Sequence, residues 1–533
     1  MERNMKNKQY LSLAGAAVAL ALAAGCETYQ EPPLDYQASS YTQRNRTAAD
    51  NLLAGIKELS LAKAQEIAVA NNPTYISAYY AITAAKMRYY QALGAYSPTL
   101  SVGGSVSYSG TEAERQHNVS SANRSGSFNP SVNARATWLL FDGLSREFQV
   151  KIAQANFNAN KALSEDDCRL LIRNVAYAYN EVMLAAENMR IAVEDMQFQV
   201  KNLGYTELKF QVGAVPLSDV LNFRALANMA EGNRITAEYQ YQIALYALAV
   251  LMGYPEGTLP PSITFPRVRS IQLEELPSVD IYLDNALANR PDLRAYREQL
   301  KISGYQLSQT YSNFSPTVSA FADYGFSTTN SRSKYSGSGI SHTDSGTNSF
   351  SFGVQADWTL FNGFVRYNKV REARANLAAQ QYTVANAWLN VIQEVRNAHI
   401  NYVQSVKQAR LYEKTLAITT RQRDLVDDQY RAGNTALTRL NEVQRDLVDA
   451  QTTLASAYIT VQNAKAQLEA AAAMNANDYD RAPKPFAEKV SIVGFEPLPA
   501  VSKPIPVIPR STTFERATDK NGYPVWDPAK VQK

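Results

Sequence analysis

Three histidines and two cysteines are the whole supply of imidazoles and thiols in 533 residues, and their spacing denies them a joint task. His117 and His342 sit in Ser/Asn/Gly/Arg-rich stretches and His399 within a long helical pattern, none at a metal-ligand interval from another or from a thiol. No phosphate-binding glycine loop and no paired thiols are present. Cys168 falls mid-helix, where a lone thiol acts as a small buried hydrophobe. The sequence therefore assigns no catalytic residue, no metal site and no cofactor, and catalysis is not expected. A net charge of +4, from 53 basic and 49 acidic residues, gives no case for a nucleic-acid partner.

One thiol does have chemistry written around it. Arg3, Lys6 and Lys8 precede an apolar, small-residue run from Leu11 to Ala24, then Gly25-Cys26, which is the order of a secretory signal. The run is too short to span a bilayer comfortably. A cysteine at that point resembles the lipobox of bacterial lipoproteins, although Leu22 lies one position further from Cys26 than that pattern prefers. Residues 1–25 are thus expected to be a lipoprotein signal peptide, with Cys26 lipidated (a palmitate-bearing terminus) and 26–50 a polar extension.

The remaining polar groups with a positional logic lie in alternating stretches. Leu100, Val102, Gly104, Val106 and Tyr108 oppose Thr99, Ser101, Gly103, Ser105 and Ser107, and Val132 to Leu140 alternate likewise before Gly143. Val318 to Phe326 and Phe350 to Leu360 repeat the pattern. Four strands of about 10 to 12 residues suit a tilted bilayer crossing. Arg135, Asp323 and Asp357 fall on the polar face and suit a wet lumen, while Trp138 and Trp358 suit an interfacial girdle. Segments of about 110–127 and 327–348 lack apolar periodicity and read as exposed loops.

What positions these strands is a duplication at an offset of about 220 residues. Asn72-Pro73 recurs as Arg290-Pro291, Ser97-Pro98 as Ser315-Pro316, Phe141-Asp142-Gly143 as Phe361-Asn362-Gly363, and Gly213 as Gly433. The first repeat covers 51–254, with a hairpin at about 98–141, a long helix at about 143–212 and a return helix at about 216–252. A Pro-rich linker at 255–280 leads to the second, 281–474, with a hairpin at about 316–361 and helices at about 363–432 and 437–474. A Pro-rich tail occupies 475–533. Heptads run Cys168, Val175, Val182, Met189, Met196 and Leu203 in one copy, and Trp388, Val395, Tyr402, Ala409 and Leu416 in the other, specifying supercoiled neighbours. Helices of 70 residues would be roughly 105 Å long.

Four strands cannot close a barrel, and open edges in lipid leave backbone groups unsatisfied, so closure must come from other subunits. Order, spacing and duplication together resemble the TolC-like outer-membrane factors over about residues 50–475, in the lipoprotein-type subgroup. The resemblance implies a mainly α fold with a transmembrane β segment: a homotrimer whose four strands per chain build a 12-stranded barrel in the outer membrane, above a periplasmic α-helical barrel. It implies an exit duct of a tripartite efflux system, working with a periplasmic adaptor, an inner-membrane pump and outer-membrane lipid. A type I protein-secretion channel is the alternative, and a structural coiled-coil surface protein the alternative of another class. By position it also implies a periplasmic gate near the tip turns Gly213 and Gly433. Asp219 and Arg439 are equivalent in the two copies and can pair across helices, with Glu442 and Arg445 one turn on.

Overall fold

The computed structural model describes residues 57–114, 122–254, 257–260, 262–267, 278–334 and 339–475. The signal segment, Cys26, the extension, His117 and the tail beyond 475 lie outside these residues. All of the described residues belong to one of the chain's two units, residues 1–485.

The first half runs α1 (Leu61–Asn71), α2 (Pro73–Gly94), β1 (Thr99–Glu114), β2 (Ala122–Phe141), α3 (Ser145–Gln211) and α4 (Leu217–Leu251). The second runs α5 (Val279–Asn289), α6 (Pro291–Ser312), β3 (Thr317–Lys334), β4 (Ile340–Asp357), α7 (Val365–Arg431) and α8 (Leu437–Ala471). The two long helices have 67 residues each and the two return helices 35 each. Pro73 and Pro291 open their helices at a position that needs no N–H donor. Asn72 caps α2, its side-chain oxygen accepting from the backbone N–H groups of Thr74 (3.0 Å) and Tyr75 (3.1 Å).

The sheet is an antiparallel meander in the order β1-β2-β3-β4. The halves meet in its middle, so β1 and β4 are both free edges. The strands run to 16, 20, 18 and 18 residues, well past the expected 10 to 12, and take in most of the two stretches read as loops. His342 thus sits on β4 opposite Arg332. Ladder hydrogen bonds are made by the backbone and need no apolar alternation, which is why the periodicity test failed there. At the other end β4 stops at Asp357, short of the expected 361: its last partner is Thr317, behind Pro316, and as an edge strand it has no second neighbour in the chain. Flanked by β1 and β3, β2 pairs through to Phe141.

Apolar contact holds each helical hairpin. Val175, Tyr179 and Val182 of α3 pack with Leu248 and Met252 at the end of α4, and Val391, Val395 and Tyr402 of α7 with Leu454 and Val461 of α8. Cys168 is fully buried. The heptad position at Trp388 is exposed, on a flank of α7 that none of the described residues covers. Between the hairpins the α3–α8 seam is polar. Asn180 Nδ2 donates to Asn463 Oδ1 (2.8 Å), Tyr177 to Gln467 (2.8 Å) and Gln444 to Asp195 (2.9 Å). Among the described residues no helix is long and apolar enough to cross a membrane.

Candidate channel wall and gate

The sheet sorts its side chains by row. Ser101, Arg135, Asp323 and Ser351 lie abreast across the four strands, as do Gly103, Asn133, Gly325 and Ser349. One residue along, the rows become Leu100, Ala136, Ala322 and Phe352, then Val102, Ala134, Tyr324 and Phe350. Arg135 Nε lies 3.4 Å from Asp323 Oδ1, a cross-strand ion pair on the polar face. Asp357 accepts from Gln355 Nε2 at 2.9 Å at the end of β4. All three charged residues proposed for the lumen therefore project from the polar side. The apolar rows are bare: Leu100 is 77% exposed and Phe352 78%. A contiguous apolar face of that size needs a cover, and lipid is one.

Strand passes to helix through a turn built twice. Gly143 (φ +68°) and Leu144 (φ +70°) match Gly363 (φ +67°) and Phe364 (φ +62°), two successive left-handed residues in each copy. Asp142 then accepts from the Arg146 N–H (2.9 Å) and pairs with its guanidinium at 3.2 Å, which in turn donates to the Leu139 carbonyl (2.6 Å). Asn362 and Arg366 repeat this against Thr359. The indoles of Trp138 and Trp358 donate to Tyr96 and Phe314 carbonyls, each at 3.0 Å, fixing both rings at the level where strands become helices.

At the far ends Gly213 (φ +74°) and Gly433 (φ +80°) terminate α3 and α7. The Ala214 N–H reaches back to Lys209 O and the Asn434 N–H to Gln429 O, both at 2.8 Å, the six-to-one closure of a helix that needs a left-handed residue inside it. Asp219 is half-buried in the first turn of α4, where the exposed N–H groups favour a carboxylate. Arg439 holds the equivalent place in α8, where that dipole disfavours a cation, and Glu442 compensates at 2.5 Å. Within this one chain Arg439 is thus paired along its own helix, three positions on. Arg445 is exposed one turn beyond Glu442.

Sequence reasoning missed what joins the two tips. Phe223 of α4 is fully buried with Tyr430 of α7 and with Leu440 and Val443 of α8, the two rings 6.4 Å apart. Lys209 Nζ lies 5.1 Å from the Tyr430 ring centroid, and Asp427 holds Arg431 at 2.5 Å. Burial pushes the Tyr430 hydroxyl above its usual pKa, so it stays neutral. No local pattern marks it: Tyr430 and its equivalent Phe210 both stand three residues before a tip glycine, yet Phe210 is exposed and only Tyr430 enters the contact. No group of acidic, His and Cys side chains able to hold a metal occurs among the described residues.

Known proteins share this architecture. Residues 64–254 and 282–474 match the outer membrane efflux protein family, one stretch in each half. Outer membrane protein TolC of Escherichia coli (strain K12) is 23% identical over 372 residues, 69% of this chain and 71% of that protein. The alkaline protease secretion protein AprF of Pseudomonas aeruginosa is 25% identical over 327 residues, 61% of this chain and 64% of that one. The crystal structure of the Campylobacter jejuni CmeC outer membrane channel superposes with a TM-score of 0.61 at 18% identity, over 78% of this chain and 86% of that one. Two matched stretches, each a helix, a hairpin half of one sheet and a long helical return, make this chain a member of the outer membrane efflux protein family.

Proposed function

We propose that the chain is the outer-membrane channel of a tripartite efflux system, a passive trans-periplasmic exit duct. Three copies join their four-stranded sheets into a 12-stranded barrel, continued below by a tunnel of 12 helices, with 51–254 and 281–474 as the repeated units. The carrying observation is the sheet itself: two free edges and a bare apolar face opposite a charged one. In hydrocarbon each unsatisfied edge group costs several kcal/mol, so the sheet is stable there only when closed. Closure turns Arg135, Asp323 and Asp357 toward water. A duct needs no catalytic residue. Lipidation at Cys26 adds a second membrane anchor, and the tips dock a periplasmic adaptor bound to an inner-membrane pump.

The gate of this reading lies at Asp219, Arg439, Glu442 and Arg445, around Gly213 and Gly433, where the α3/α4 and α7/α8 tips are held by the Phe223–Tyr430 contact. The test is single-channel recording of the purified protein in planar bilayers. Discrete trimer conductance supports the duct; a protein that inserts without conducting sinks it. A second reading, an exit channel for secreted protein, draws on the likeness to AprF, a secretion protein by name. Deletion of the gene separates the two: small toxic compounds accumulate in one case, an exported protein in the other.

A further inference from the structure

The charges just below the strands differ sharply between equivalent places. Inside the chain α3 leaves β2 and α6 enters β3; these strands pair, and their helices lie together, with Gln309 Nε2 donating to Gln149 Oε1 at 3.1 Å. Within fifteen residues of those strands the charged side chains are Asp142, Arg146, Glu147 and Lys151, balanced and paired at 3.2 and 3.6 Å. The corresponding helices at the free edges are α2, entering β1, and α7, leaving β4. Over the same length they carry Lys86, Arg88, Arg366, Lys369 and Arg371 against one acid, Glu372. None of these five cations is in an ion pair among the described contacts. Their surplus of four equals the net +4 of the whole chain.

On the proposed channel reading, β4 of one copy pairs with β1 of the next and brings α7 beside the neighbour's α2, as β2–β3 pairing brings α3 beside α6. We infer that anionic phospholipid headgroups of the periplasmic leaflet bind there, at a site complete only when two copies meet. The level is right. Leu360, Phe361 and Phe364 are exposed apolar side chains at the strand ends. At about 1.5 Å per residue Lys369 and Arg371 lie roughly 7 and 10 Å beyond Phe364, within reach of the headgroup layer for snorkelling side chains. Tyr90 and Tyr367 lie under Lys86 and Arg371 at 5.8 and 5.9 Å, aromatic stems that steady a cation without neutralising it. Each basic side chain near an anionic surface contributes favourably, and here a single acid, Glu372, stands among them.

The test uses full-length protein in nanodiscs of phosphatidylcholine with and without phosphatidylglycerol, reading retained lipid and the trimer's melting temperature. Phosphatidylglycerol should be retained roughly tenfold over phosphatidylcholine and should raise the melting temperature. Arg88→Gln with Arg371→Gln should bring retention near parity, while Lys151→Gln, at the balanced seam, keeps the preference. A trimer that forms in both lipids yet retains them equally overturns the lipid site and leaves the channel intact. So does equal protection by inorganic phosphate. A chain that stays monomeric in both overturns the ring and the site with it.

Discussion

The two halves solve one problem with different residues, and the differences show where a neighbour is present and where it is missing. In the first half Asn72 Nδ2 donates to the Leu251 carbonyl at the end of α4 (2.9 Å); in the second Arg290 Nη1 donates to Ala471 at the end of α8 (3.2 Å). An amide suffices where the surroundings are neutral. Arg290, 4% exposed, brings a buried charge and therefore needs Asp292 (2.7 Å) and Glu394 (2.6 Å). The same contrast separates Gly143, hemmed in by Ser312 and Ser315, from Gly363, which meets nothing within 4 Å. Gly143 lies at the contact inside the chain, Gly363 beside the free edge of the sheet.

Removing the charged clamp should have the largest effect. Arg290→Ala leaves the half-buried carboxylates of Asp292 and Glu394 without their cation and should cost about 3–4 kcal/mol, against about 1–2 kcal/mol for Asn72→Ala, read as denaturant midpoints of the trimer. Equal losses would erase the distinction between the halves. Acid sharpens it. Burial pushes the Asp292 carboxyl up, but the hydrogen bonds and charge of Arg290 outweigh this and leave it below its ordinary value. Its contribution is present above the unfolded carboxylate range and lost as pH falls through the lowered value. Asp166, raised by burial, works in the opposite sense. Melting curves of the wild type should fall only at acid pH below that range, and Arg290→Ala should flatten that fall.

Next come the glycines. Alanine at 143 would place its Cβ 2.6 Å from the Ser312 carbonyl in a left-handed conformation, and should cost about 3 kcal/mol. Alanine at 363 costs only the conformational part, about 1 kcal/mol, in a lone chain. In a closed ring the turn between α2 and β1 of the next copy should crowd it as Ser312 crowds Gly143. Heat-resistant trimer in unboiled extracts should then drop alike for both variants; a normal trimer yield with Gly363→Ala would break the equivalence. Smaller still is the end of the return helices, where Gly253 (φ +65°) of the first half is matched by Ala473 (φ +55°) in the second. Ala473→Gly should relieve strain and raise stability by about 1 kcal/mol. At the tips Asp219→Ala with Arg439→Ala should change stability by at most about 1 kcal/mol yet raise trimer conductance. Unchanged conductance removes these residues from the gate.

The duplication, the strand faces and the glycine tips were legible because each is a local pattern: period two, period seven, or a left-handed turn. Illegible were features set by neighbours. The extension of β1 to β4 through Ser/Asn-rich sequence follows from backbone pairing that side-chain periodicity does not report. Within this one chain Arg439 pairs with Glu442 and not with Asp219, which depends on helix placement, and the Phe223–Tyr430 contact joins residues from different halves. Arg290, a mere repeat of Asn72 in the sequence, became a buried ion-pair centre only once Glu394 was folded against it.

The central β2–β3 ladder has a consequence for assembly. It pairs Arg135 with Asp323, about 190 residues further along the chain. No membrane-ready surface exists until both hairpins have been exported. The helical hairpins, whose contacts are nearer in sequence, can form earlier, and the late, long-range closure is the slow step. During that interval the aromatic faces of β1 and β4 stand open to water, so the protein's timetable obliges the cell to shield an unfinished sheet.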